Sequence, residues 1–346
     1  MQPDLAVEPA SGVDKQLPLA RVSGSWRSSL LTLAIGTFAV MVLAAREWGE
    51  MVHQWWYIDT YSHILLVPFI IVWLIWLKLG ELAKIDPRPW LPGLGLVACG
   101  VILWLVGRAF DLNVVAHAGS VGALQGVVIA AIGVRASLVL ALPIAFAVFF
   151  VPFGDEIIPP LQDITAHIAV ALTEWSGIPA VVDGIFIDTP IGLFIVAEAC
   201  SGVKFLVAMV TLAVLVCFTR FDSWSRRALF LAVSIIVPIL ANGVRAWGTI
   251  YIAQSQGVEF AAGFDHIFYG WVFFAIIVAV ILAAAWRWFE REPQDYGWTA
   301  SEVRALAPTK ALERFSSSPV VAIAGIAALA VVSAILAGVV APRAMG

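Results

Sequence analysis

Charged residues are scarce in this chain, and long apolar runs take their place. Only 13% of its 346 residues are Asp, Glu, Lys or Arg, whereas 61% are hydrophobic. The mean hydropathy of +0.95 lies far above the range of soluble globular domains. The sequence has no basic run with interleaved aromatic residues, which excludes the usual nucleic-acid-binding surface. The composition therefore predicts an all-α polytopic protein with the lipid bilayer as its main partner.

Cysteine is also scarce, and its three copies are too few for a disulfide framework. No Cys-x-x-Cys pair or Cys/His spacing predicts a metal site, and we expect neither a metal nor an organic cofactor. Cys99 and Cys217 lie within apolar runs, where a thiol behaves as a small buried hydrophobic group. Cys200 differs, because it precedes such a run in the segment "IVAEACSGVKFL".

Nine apolar runs approach or reach the roughly 17–25 residues that cross a bilayer. About eight or nine spans are therefore expected, within a membrane domain over residues 30–286. Residues 1–29 are polar and are expected to form a disordered cytoplasmic tail, and residues 287–346 a cytoplasmic polar linker and a last span. The predicted spans are Leu30–Ala45, Ile64–Leu79, Leu91–Gly107, Val114–Gly133, Ala136–Phe153, Gly202–Thr219, Ala228–Ala253, Ile267–Trp286 and Val320–Val340.

The distribution of cations predicts the orientation. With a cytoplasmic N-terminus, fifteen of the 20 Lys and Arg residues lie in inside segments, and Arg46, Arg108 and Arg343 lie outside. Lys204 and Arg245 remain within spans. This asymmetry follows the positive-inside rule and predicts a multi-pass membrane protein with a cytoplasmic N-terminus.

One segment on the predicted outer face, residues 154–201, is too long for a simple connection. Its first half, "LQDITAHIAVALTEWSGIP", has apolar residues at helical spacing and predicts an amphipathic helix in the interface. Its second half, "VVDGIFIDTPIGLFIVAEA", has β-branched residues around Asp-Gly and Thr-Pro turn signals and predicts a short hairpin. The hairpin leads directly to Cys200.

Cys200 is a candidate nucleophile. If a helix begins near Ser201, its free N–H groups favour the thiolate, and Lys204 one turn later adds to that effect. Burial opposes both effects. The alternative is a small apolar residue at a helix start, with Glu198 as a helix cap.

Arg245 is a second candidate, because a cation within lipid needs a partner or a polar cavity. Asn242 lies three residues earlier on the same helical face, which predicts a pocket shared by the two side chains. The alternative is that Arg245 extends to the interface.

Two histidines, His63 and His266, lie where outer segments re-enter the membrane, and Asp265 adjoins the second. Histidine is suited to proton transfer near neutral pH, although both also fit interfacial anchors. A thiol, a cation and an imidazole on one face together fit acyl transfer.

Five segments resemble the exosortase/archaeosortase family. They occur in the family's order between about Arg46 and Trp286. The segments are "YSHILLVP" at Tyr61–Pro68, "VPFGDEIIPPLQ" at Val151–Gln162, "EACSG" at Glu198–Gly202, Asn-x-x-Arg at Asn242–Arg245 and "HIFYGW" at His266–Trp271.

The resemblance implies a multi-pass cysteine protease and transpeptidase of the bacterial inner membrane. Such an enzyme cleaves a C-terminal sorting signal from exported proteins on the outer face. Such a signal has a Pro-Glu-Pro-like (PEP-CTERM) motif, an apolar helix and a basic end, and the acceptor is a lipid-linked or polysaccharide group of exopolysaccharide systems. It also implies catalytic roles for Cys200, Arg245 and His266, which ranks His266 above His63. Val203 and Lys204 depart from the Leu-Arg expected after "ACSG".

Two other classes of protein fit the same residues. A transporter or flippase would use Lys204 and Arg245 to bind an anionic lipid or solute. A scaffold for envelope assembly would leave Cys200 inert.

Overall fold

Helices long enough to cross a membrane make up most of the structure. The computed structural model describes residues 23–257 and 270–340. Within these residues seven helices are apolar and long enough to span, or eight if the bent pair Ala141–Phe150 and Asp155–Trp175 counts as one. The all-α polytopic fold is therefore confirmed. Its helices and strands are α1 Gly24–Leu43, α2 Ala45–Tyr57, α3 Val67–Leu82, α4 Pro92–Ala109, α5 Asn113–Val139, α6 Ala141–Phe146, α7 Ile158–Trp175, β1 Val181–Asp183, β2 Phe186–Thr189, β3 Gly192–Ile195, α8 Val203–Arg220, α9 Trp224–Gln256, α10 Gly270–Trp286, α11 Ala300–Ala305, α12 Ala307–Glu313 and α13 Pro319–Val340.

One predicted boundary moves, at the N-terminus, and a second lies outside the described residues. Helix α1 already begins at Gly24, so residues 24–29 belong to a helix and not to the predicted tail. The predicted span Ile267–Trp286 begins outside the described residues, and its part from Gly270 onward is helical.

Glycines bring the backbones of α4 and α5 into contact. A Cβ atom on Gly100 would lie 2.2 Å from the backbone nitrogen of Ala123, and one on Gly119 would lie 2.2 Å from that of Trp104. Small residues permit such close approach in lipid, where packing rather than water exclusion holds helices together. Half of the α5 span is buried, as expected for its Gly- and Ala-rich sequence.

The predicted span Ala136–Phe153 is not one helix in the structure. Helix α5 continues through a non-helical residue, Gly133, to Val139, and a short α6 and a 3-10 turn follow. The chain then bends by 66° into α7. Gly154, at φ 132°, lies at this bend, in a backbone conformation that favours glycine. The amphipathic helix is present as α7, and its buried face packs against α9.

The predicted hairpin is in fact a three-stranded antiparallel sheet in the order β1-β2-β3. Each of the two turn signals closes one hairpin, since Asp183 pairs with Phe186 and Thr189 pairs with Gly192. Ile187, at the centre, is 1% exposed and packs in a cluster with residues of α7 and α9. The sheet therefore has one buried face and one exposed face.

Residues 287–318, expected as a polar linker, pack on the ends of earlier helices. Tyr296 is fully buried, and its hydroxyl donates a hydrogen bond to the Leu74 carbonyl at 2.8 Å. Burial raises the pKa of this phenol. The Glu81 carboxylate accepts from the Ala300 N–H, and Trp90 donates to the Leu312 carbonyl. This segment thus joins the last span, α13, to the rest of the bundle.

Candidate active site

Cys200 lies in a 3-10 turn, Glu198–Cys200, and not at the start of a helix as predicted. Its N–H donates to the Ala197 carbonyl at 2.8 Å, and α8 begins three residues later at Val203. Gly202 causes the difference, because its left-handed conformation at φ 83° separates the turn from the helix. Glu198 is exposed, and the first N–H of α8, that of Val203, donates to the Ser201 hydroxyl at 3.3 Å. The expected role of Glu198 as a cap is therefore also wrong.

Asn242 on α9 holds this turn in place. Its side-chain amide donates to the Cys200 carbonyl at 2.8 Å and to the Thr165 hydroxyl of α7 at 3.0 Å. The Asn242 side chain is buried, and a Cβ atom on Gly202 would lie only 2.8 Å from its Cγ. The amide therefore ties α7, α9 and the turn with Cys200 together.

Cys200 and Arg245 line the same cavity of about 80 Å³ between the sheet and α9. Arg245 is 9% exposed, so its guanidinium is largely removed from water. Strong electrostatic stabilisation of a developing negative charge needs such an environment. The full lining consists of Ile187, Phe194, Ile195, Val196, Cys200, Asn242, Arg245, Ala246, Thr249 and Ile250.

The predicted residues His266 and Asp265 lie outside the described residues. The next described residue, Gly270, lies next to Arg245. A Cβ atom on Gly270 would be 3.7 Å from the guanidinium carbon. The chain segment that carries His266 thus rejoins the described structure beside the cavity.

Lys204 and His63, also predicted as supporting residues, are not part of the described cavity lining. The Lys204 ammonium lies 5.2 Å from the ring centre of Phe205. His63 is half-buried before α3, and its Nδ1 is 3.1 Å from the Thr60 carbonyl.

Several polar residues near the site were missed from the sequence. The Gln162 amide donates to the Val196 carbonyl at 2.7 Å and so anchors the end of the sheet to α7. Tyr61 donates to the Asp155 carboxylate at 2.6 Å, which joins the segment before α3 to the bend before α7. The spacing of Gln162 and Thr165 on the apolar face of α7 was the available signal. Among the described residues no group of His, Cys, Asp and Glu could hold a metal ion.

The family model of the transmembrane exosortases matches residues 55–283, about two thirds of the chain. The chain belongs to this family. Searches among curated proteins and among solved structures gave no match. The matched range contains Cys200, Asn242, Arg245 and His266. Family membership supports a role as a multi-pass membrane transpeptidase in protein sorting, with membrane-associated substrates that carry sorting signals.

Proposed function

We propose that the chain is a cysteine transpeptidase that cleaves PEP-CTERM-like signals from exported proteins on the outer face of the inner membrane. The observation that carries the proposal is the cavity shared by Cys200 and Arg245. His266 precedes Gly270 by four residues, and four residues of chain extend at most about 14 Å. Gly270 adjoins the Arg245 guanidinium, so this length allows the role at the cavity that the proposal gives to His266.

The three residues divide the reaction between them. The Cys200 sulfur attacks the scissile carbonyl as a thiolate, and the Arg245 guanidinium donates hydrogen bonds to the resulting oxyanion. His266 protonates the departing amine as the C–N bond breaks, which leaves a thioester on Cys200. The same imidazole then removes a proton from the acceptor as it attacks the thioester. The product is the sorted protein joined to a lipid-linked or polysaccharide acceptor.

The size of the cavity limits how much of the substrate it encloses. At about 80 Å³ it is far smaller than the roughly 300–1,000 Å³ of pockets that enclose whole small molecules. It therefore surrounds the reacting peptide group, while the apolar helix of the signal stays in lipid beside the bundle. The charge asymmetry described above supports the outer-face location.

The alternative of an anionic-solute transporter requires Lys204 and Arg245 to face one passage. In the described part of the chain Arg245 lines the cavity and Lys204 does not. A transporter would also tolerate Cys200→Ser, whereas a transpeptidase would not.

Replacement of the thiol tests the proposal directly. Cys200→Ala should lower cleavage of a sorting-signal substrate by more than about 1,000-fold and abolish a hydroxylamine-sensitive adduct. Cys217→Ala is the matched control, because Cys217 is buried at the far end of α8 from Cys200. Its thiol donates a hydrogen bond to the Arg227 carbonyl of α9. Normal cleavage by the Cys200→Ala protein would refute the nucleophile assignment.

A further inference from the structure

Strand β3 is an edge strand, and it lines the cavity with Cys200. Within the described residues it pairs with β2 on one side only. Its residues Phe194 and Ile195 line the cavity, as does Val196 directly after it. An unpaired strand edge is a template for another extended chain.

The register shows which backbone groups face this open edge. The Val196 N–H donates to the Ile185 carbonyl at 2.9 Å, which marks these two residues as a hydrogen-bonded pair. Because such pairs alternate along an antiparallel ladder, Phe194 and Gly192 also point towards β2. Leu193 and Ile195 therefore point their backbone groups away from β2.

One of these groups already has a partner, because the Ile195 carbonyl accepts from the Ala197 N–H at 3.0 Å. The open edge thus offers two donors, the N–H groups of Leu193 and Ile195, and one acceptor, the Leu193 carbonyl. The Leu193 and Ile195 side chains are 61% and 54% exposed, so they leave the edge accessible.

We propose that the substrate peptide binds by adding a fourth strand to the open edge of β3, which leads its scissile bond to Cys200. This inference rests on the proposed function and describes how the same site binds an extended peptide. Main-chain hydrogen bonds supply affinity in such strand addition. It also explains how a small cavity recognises a peptide, since most of the contact lies outside the cavity.

Strand addition places a specific demand on the peptide backbone. The edge has a single acceptor, so only one peptide N–H pairs with it, and every second residue faces away. Proline has no N–H to donate and is tolerated where its nitrogen faces away from the sheet. In a Pro-Glu-Pro peptide the central Glu has the only N–H of the motif, and we assign that group to the Leu193 carbonyl.

An amide-to-ester scan of the peptide tests this assignment. The probe is a synthetic peptide with a Pro-Glu-Pro motif, an apolar helix and a basic end, bound to the Cys200→Ala protein in detergent. Replacing the Glu amide by an ester should weaken binding about 2- to 12-fold, and esters at the flanking non-proline residues should not. A flat scan would overturn the inference.

A pair of proline variants tests the protein side. Leu193→Pro removes a donor from the open edge and should raise the Kd about 2- to 12-fold. Val182→Pro is the matched control, because its N–H faces the opposite open edge, beyond β1, away from Cys200. Leu193→Ala keeps the backbone donor and measures the contribution of the side chain alone, so Leu193→Pro should raise the Kd further than Leu193→Ala does. If Leu193→Pro is folded by its melting temperature and binds with unchanged Kd, strand addition is wrong.

The outcomes separate this inference from the proposed function. Cleavage of the same peptide by the unmodified protein, lost in Cys200→Ala, supports the transpeptidase whatever the scan shows. A scan with one sensitive position supports strand addition. Cleavage that survives Cys200→Ala refutes the proposed function first.

Discussion

Asn242→Ala should separate the positioning of Cys200 from the stability of the fold. The change removes two hydrogen bonds of a buried amide, to the Cys200 carbonyl and to the Thr165 hydroxyl. At about 0.5–1.5 kcal/mol each these contribute roughly 1–3 kcal/mol. We therefore expect a loss of stability of about 1–3 kcal/mol. Release of the turn with Cys200 should also lower kcat about 10- to 100-fold with little change in KM, because misplacement by 1 Å costs about 100-fold.

Thr165→Val is the control for this variant. It removes one of the two bonds from the same amide, keeps the bond to Cys200, and should cost about 1 kcal/mol with kcat nearly unchanged. The assays are thermal unfolding in detergent and single-turnover cleavage, with the rate of Cys200 alkylation as a readout that needs no substrate. If both variants lose stability and kcat in parallel, or if Asn242→Ala keeps the normal kcat, Asn242 does not position Cys200.

Two further predictions concern the packing that surrounds the site. Gly100→Val should destabilise the α4–α5 contact by about 3 kcal/mol or more and cause aggregation on heating, whereas Gly95→Val, on the open side of the same helix, should behave normally. Equal behaviour of the two valine variants would contradict close backbone packing. Tyr61→Phe removes the hydrogen bond to the exposed Asp155 carboxylate. It should lower the free energy of unfolding, measured in detergent, by about 1 kcal/mol. An unchanged free energy of unfolding would mean that this bond does not stabilise the fold.

The spans were predictable because lipid imposes a length and an apolar composition that a sequence displays directly. The bend before α7 was not, since residues 136–153 carry no charged side chain, and Pro143, Pro152 and the following Gly154 do not by themselves locate a bend. The third strand was missed for a different reason. Two turn signals were recognised, but one hairpin was inferred from them, although each signal closes its own turn.

The candidate site was predictable where its residues share one helix. Asn242 and Arg245 lie three residues apart on α9, and helical spacing places them on one face. Thr165 and Gln162 were not predictable as partners, because their contacts depend on how α7 crosses α9 and the sheet. The position of Cys200 depends on a single backbone conformation at Gly202, which apolar periodicity does not reveal.

The bond between Tyr296 and Leu74 has a consequence for biosynthesis, because 222 residues separate its two partners. At about 5–20 residues per second, a ribosome needs roughly 10–45 s to pass from one to the other. All helices that contribute to the Cys200 cavity are translated within that interval. The nascent chain therefore contains every described residue that lines the Cys200 cavity before Tyr296 is synthesised. The bond that fixes the C-terminal segment to α3 can form only after that point.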